Sequence, residues 1–178
     1  MISLIHFWFM LSISIIMSNT SFAQKSDFPL LQARTLAGEN IEYPKALAGN
    51  KSLLVMVFED IGRYQEAQSQ ANQWLAVCES RWQRLGILAH EIPMMGGVWK
   101  IARSYIDEGM RLGLPVEKHS SVSCFYGDKD KYRRLLAIEK FAEAQVFLLD
   151  ENGSILLQTH GAPDENTINQ IQEILAIN

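Results

Sequence analysis

The chain has 178 residues, 20 % of them charged, and a formal net charge of −4. That length suits one domain with a proper hydrophobic core. The charges are interspersed and form no basic cluster, which argues against a nucleic-acid partner and describes a solvated surface.

In chain order, residues 4–17 are almost wholly apolar or Ser, the length of a secretory h-region and short for a span of ~20 residues. Ser21-Phe22-Ala23 places small residues at the −3 and −1 positions of a cleavage site. The preceding Met1-Ile2-Ser3 lacks Lys and Arg, so an uncleaved N-terminal anchor is the alternative. No Cys follows the apolar run, so lipid attachment is not expected there. Removing the 23-residue signal peptide from 178 residues leaves 155, one domain over 24–178. The expected location is periplasmic or secreted, with no membrane span after cleavage.

Residues 28–44 read as an extended opening with a turn at Ala37-Gly38-Glu39-Asn40. A second turn at 47–51 leads to an apolar strand, 52–58, of the kind covered on both faces. Ala67, Ala71, Trp74, Cys78, Trp82 and Leu85 recur at helical spacing over 64–85, and Gly86 supplies a stop. A strand over 86–92 is expected to end at Pro93. Met94-Met95-Gly96-Gly97 then reads as a flexible loop. Val98, Ile101, Ala102, Tyr105, Ile106 and Met110 mark a second amphipathic helix, which stops near Gly113 and Pro115.

A strand over 121–126 and a short helix over 131–138 follow. Strands near 146–149 and 154–157 flank Asp150-Glu151-Asn152-Gly153, whose Asn-Gly pair supplies the positive φ of a hairpin turn. Pro163 opens a last helix with Asp164 and Glu165 in its first turn and Ile168, Ile171, Ile174 and Leu175 as its apolar stripe. The order β-α-β-α-β-α-β-β-α predicts an α/β three-layer sandwich whose mixed sheet ends in an antiparallel hairpin and a final helix.

Three stretches carry a family resemblance. They are the opening from Phe28-Pro29-Leu30 through Gly38 and Pro44 to Lys51, the strand-to-helix junction after Phe58, and Val146-Phe147-Leu148-Leu149-Asp150-Glu151-Asn152-Gly153-Ser154-Ile155. In this order they resemble the thioredoxin-like superfamily, in its periplasmic and peroxiredoxin-like branch, over nearly all of 28–176. The resemblance implies a Cys-x-x-Cys pair after the first core strand and a cis-proline before the hairpin. The chain departs at both places. Arg63 and Glu66 stand where the cysteines belong, and Ala144, followed by Gln145, stands where the proline belongs. A more distant similarity, through Leu36, Gly38, Pro44, Leu47 and Trp74, is to mitochondrial ATP synthase assembly factors with a peroxiredoxin-like domain and no Cys-x-x-Cys. It implies that such a fold can serve as a protein-binding or chaperone module.

A thiol enzyme needs a thiolate, favoured at a helix N-terminus. Cys78 is expected mid-helix and Cys124 mid-strand, as small buried hydrophobes; a disulfide between them and a redox-active pair are the alternatives. His90, Glu91, His119 and His160 lack ligand spacing, and adjacent strand residues face opposite ways, so no metal or other cofactor is expected. Arg63 and Glu66 can pair on one helix face. Asp60, Arg63, Tyr64, Glu66, Met94, Met95, Ala144 and Gln145 form the candidate binding edge, because open α/β sheets place ligands at the carboxyl ends of their strands. The reading is an exported module that binds or assists another protein. The enzyme alternative is a divergent thiol-disulfide oxidoreductase or peroxidase using Cys78 or Cys124.

Overall fold

The computed structural model describes residues 26–60 and 62–176. The expected signal peptide and its cleavage site lie outside the described residues. Strands β1 (Leu31–Thr35) and β2 (Asn40–Tyr43) form the opening hairpin. β3 (Ser52–Phe58) follows, buried at every residue. α1 (Tyr64–Val77) continues as a π-helical turn, Cys78–Trp82, and a 3₁₀ turn, Gln83–Leu85. It stops at Gly86, whose φ of +79° is the left-handed conformation glycine adopts without penalty. β4 (Leu88–Gly96), a 3₁₀ turn at Gly97–Ala102, α2 (Arg103–Gly113) and β5 (Ser123–Gly127) come next. α3 (Lys129–Leu135), β6 (Gln145–Leu149), β7 (Ile155–His160) and α4 (Glu165–Ala176) complete the chain.

The seven strands form one sheet in the order β2-β1-β5-β4-β3-β6-β7. β3 is parallel to β4 and β4 to β5, whereas β6 is antiparallel to both β3 and β7. Side chains of β3 alternate between two cores. Leu53, Val55 and Val57 pack with Trp74, Trp82, Ile168 and Ile171 on the α1 and α4 side. Leu54, Met56 and Phe58 pack with Phe28, Tyr43, Met94, Tyr132 and Phe147 on the α3 side. A strand apolar on both faces is the direct consequence. The mixed α/β sandwich, its hairpin and its last helix stand as expected.

Three local expectations change. Pro93 does not end its strand; β4 runs on to Gly96. Its missing N–H falls in a gap of the β4–β5 pairing, between the Glu91–Val122 bridge and the Met94–Phe125 ladder, so no hydrogen bond is lost there. In the β6–β7 turn Gly153 alone takes a positive φ, +87°, and Asn152 does not. Asp150 takes that role instead, its Oδ1 accepting from the N–H groups of Asn152 at 2.9 Å and Ser154 at 2.8 Å. Finally, the expected apolar stripe over 98–110 is split: Val98, Ile101 and Tyr105 are exposed, Ala102, Ile106 and Met110 are half-buried with Met110 packed against Leu36, Val122 and Cys124, and the one fully buried residue of α2 is Asp107.

Candidate functional site

β3 delivers the chain to the start of α1 at the carboxyl end of the parallel strands. The Glu59 N–H donates to the Met94 carbonyl at 3.0 Å, which extends the β3–β4 ladder by one residue. Asp60 follows, and its carbonyl accepts from the Arg63 N–H at 3.2 Å. Arg63 is the N-cap of α1, and Glu66 lies in its first turn, where the positive end of the helix favours a carboxylate.

Asp60, Arg63 and Glu66 form one wall of a groove whose other wall is residues 139–143, the segment leading into β6. The groove is lined by Asp60, Glu66, Glu139 and Glu143 against Arg63 and Lys140. Behind the 139–143 wall, bonds between amide side chains and the backbone hold that segment in place. The Ala144 N–H donates to Gln70 Oε1 at 2.9 Å, and Gln145 Nε2 donates to the carbonyls of Lys140 at 2.8 Å and Glu143 at 3.0 Å. A proline at 144 would have no N–H to give Gln70.

Of the eight edge residues expected from sequence, three line this groove: Asp60, Arg63 and Glu66. No ion pair joins Arg63 to Glu66 among the described residues; both side chains face the groove. The other five are withdrawn from it. Tyr64 packs half-buried against the α1 core. Met94 belongs to β4 and is fully buried, and Met95 is half-buried in the same strand, so neither is a loop residue. Ala144, just before β6, and Gln145, its first residue, are buried, with Gln145 opposite both Met56 and His160.

Other polar contacts of this region escaped sequence reasoning. Lys129 Nζ binds both the Glu59 carboxylate, at 2.7 Å, and the Glu59 carbonyl, tying α3 to the end of β3. His160 Nδ1 lies 2.6 Å from Glu143 Oε2. Both pairs join residues far apart in the chain, so no local spacing announces them.

Neither thiol has the setting of a nucleophile. Cys78 is buried under α1, and burial pushes its thiol up to about 11. Cys124 is buried under α2 with Sγ 3.5 Å from Met110 Sδ; burial first, and Asp107 beside it, push that thiol up to about 12. Both are free, and they belong to different packing clusters. At neutral pH such groups are protonated, and the thiol is the unreactive form. The histidines are engaged singly. His90 sits mid-strand in β4, with Nδ1 3.0 Å from Tyr43 Oη, whereas Glu91, on the opposite face, accepts from Gln68 Nε2 at 2.6 Å. His119 Nε2 lies 3.1 Å from the Leu114 carbonyl.

This sheet order, with helices on both faces and α1 starting at the end of the central strand, is a thioredoxin-like α/β fold. The solved structures it matches are of that class. It matches the thioredoxin domain of a thiol-disulfide oxidoreductase from Bacteroides vulgatus with a TM-score of 0.58 at 15% identity, over 87% of this chain and 99% of that one. It matches BsSco, of the Sco family of cytochrome c oxidase assembly proteins, with a TM-score of 0.56 at 10% identity, over 87% of this chain and 96% of that one. It matches the exposed lipoprotein thioredoxin of Streptococcus pneumoniae with a TM-score of 0.53 at 9% identity, over 82% of this chain and 98% of that one. These likenesses are of fold. No protein-family model and no curated protein sequence matches the chain. No helix among the described residues is long and apolar enough to cross a membrane.

Proposed function

We propose that this protein is an exported thioredoxin-like module that binds another protein through the groove between α1 and residues 139–143 and performs no thiol chemistry there. One observation carries the reading. The start of α1, where the resemblance expects a cysteine pair, carries Arg63 and Glu66, and both line an open groove. The two cysteines elsewhere are buried with raised thiols. The groove has four carboxylates to two cations, which suits a partner segment carrying Lys or Arg. Export rests on the apolar run 4–17 and the Ser21-Phe22-Ala23 site.

Affinity capture from the native envelope tests the assignment. Glu66→Lys with Glu139→Lys should abolish recovery of a partner that the wild-type protein retains, with a melting temperature only slightly lowered, because both residues are exposed and only the favourable placement of Glu66 in the first turn of α1 is lost. Glu151→Lys, in the hairpin turn at the other end of the sheet, should leave recovery intact. The reverse pattern would move the interface to the hairpin end.

A further inference from the structure

A second recess lies where the β1–β2 hairpin meets the start of α2. In the sheet, Arg34 stands opposite both Asn40 of β2 and Cys124 of β5, and Gln32 stands opposite Glu42. Paired residues share a face of the sheet, and Cys124 packs toward Met110 of α2, so Gln32, Arg34, Asn40 and Glu42 point to the α2 side. Lys100 and Arg103, from the 3₁₀ turn and the first residue of α2, face them across a cleft of about 530 Å³, with Cys124 and Tyr126 between. The cleft shares no residue with the groove of Asp60, Arg63 and Glu66.

Its charge runs against that of the chain. Arg34, Lys100 and Arg103 line it against one carboxylate, Glu42, in a protein whose net charge is −4. That carboxylate is already engaged: it accepts from Gln32 Nε2 at 2.9 Å and pairs with Lys45 at 2.5 Å. Two of the three cations are oriented by neutral groups. Arg34 Nε donates to the Gly38 carbonyl at 2.9 Å, and the Arg103 guanidinium lies 5.5 Å from the centre of the Tyr126 ring. Arg103 Nε is also 3.5 Å from Asp107, but the shorter bond to that carboxylate, 2.7 Å, comes from Tyr126 Oη. Among the described residues neither Arg34 nor Lys100 has a carboxylate partner. Like charges gathered in one recess repel one another, and a bound anion relieves that repulsion.

We propose that this cleft binds a phosphate monoester, its phosphate on Arg34, Lys100 and Arg103 and the rest of a small polar molecule against Asn40 and the Tyr126 ring. A phosphate monoester carries close to two negative charges at neutral pH and three strong acceptor oxygens, so one group can engage all three cations. The guanidinium fork matches phosphate oxygens in pairs, a geometry that an ammonium lacks. The cleft also falls within the ~300–1,000 Å³ of small-molecule sites. Two sources offer this chemistry, a soluble sugar or polyol phosphate and the headgroup of phosphatidic acid.

Two probes test it on the full chain at low salt: sn-glycerol 3-phosphate by calorimetric titration, and phosphatidylcholine vesicles containing phosphatidic acid by sedimentation. Glycerol phosphate should bind at one site with a Kd of roughly 1 mM or tighter. Lys100→Glu should weaken that binding at least ~10-fold. The variant should keep the wild-type melting temperature, because Lys100 is exposed and unpaired. Arg34→Gln should weaken binding as well, whereas Lys131→Glu, on α3 across the sheet, should leave it unchanged. Amide NMR shifts on titration should fall at residues 32–34, 40–42 and 124–126. Binding of glycerol phosphate without sedimentation on vesicles assigns a soluble ligand, and Lys100-dependent sedimentation assigns the headgroup. Failure of both probes, with glycerol phosphate at ~20 mM, well above the expected Kd, overturns the proposal. So does binding indifferent to Lys100→Glu, or shifts confined to the groove residues 139–143. Succinate bound as tightly as glycerol phosphate would overturn the choice of phosphate.

Discussion

At residue scale, His90 is the titrating group with a pH window. Burial lowers it from the ordinary 6.5 to about 4, so the folded protein holds a neutral imidazole. With Tyr43 donating to Ser123 Oγ at 2.9 Å, His90 Nδ1 carries the hydrogen that bonds Tyr43 Oη. A depressed histidine means the unfolded chain takes up the proton first as pH falls. Its stabilising contribution is therefore complete above about 6.5 and lost between there and about 4. The loss amounts to at most ~3 kcal/mol. His90→Gln keeps a donor for Tyr43 and cannot titrate. Urea midpoints at pH 7 and 4.5 should therefore fall less for the variant than for the wild type. An identical fall in both would remove His90 as the cause. Glu91 works in the other direction, since burial raises its carboxyl. Its charge costs stability as pH rises, and the His90 variant retains that slope.

At element scale, the hairpin turn is the most constrained glycine site. A Cβ at Gly153 would lie 2.4 Å from Pro44 Cγ and 2.6 Å from Pro44 Cβ, on top of the strain of a φ of +87°. Gly49 has a φ of +85° with open space around it. Gly153→Ala should thus cost ~3 kcal/mol or more, and Gly49→Ala only the left-handed penalty of ~1 kcal/mol. Thermal melts of the two variants compare them directly, and equal losses would show that contact with Pro44 contributes nothing. This hairpin, β3 and α4 were all legible in sequence, because each declares itself locally through an apolar run, a turn residue or a helical stripe. α2 was legible as a helix, with Ile106 and Met110 half-buried as its stripe predicts, but the exposure of Val98, Ile101 and Tyr105 was not legible. Val98, Ile101 and Tyr105 have helical spacing whichever way they face. What turns them outward is Asp107 and Arg111 finding partners on Tyr126 and Leu36. β4 ran past Pro93 because the lost N–H had no acceptor waiting, a fact of pairing that composition does not contain.

At the scale of the molecule, the sheet brings the ends of β3 and β6 to one rim and leaves the chemistry of that rim to the loops. The sequence located the rim through Asp60, Arg63 and Glu66. It missed the 139–143 wall, which reaches the rim only by the crossover from α3 to β6. It also placed Met94, inside β4, and Ala144, just before β6, on the surface, where both are buried.

The central claim is that this thioredoxin-like frame works without a reactive thiol. Alkylation of the native protein by iodoacetamide from pH 6 to 9, read by mass spectrometry of the Cys78 and Cys124 peptides, tests it most directly. Both thiols should stay unmodified in the native protein across that range and react fully in denaturant, since burial holds them at about 11 and about 12. Rapid native alkylation of either at pH 7, together with insulin reduction or peroxide consumption abolished by its Cys→Ser variant, would contradict the account.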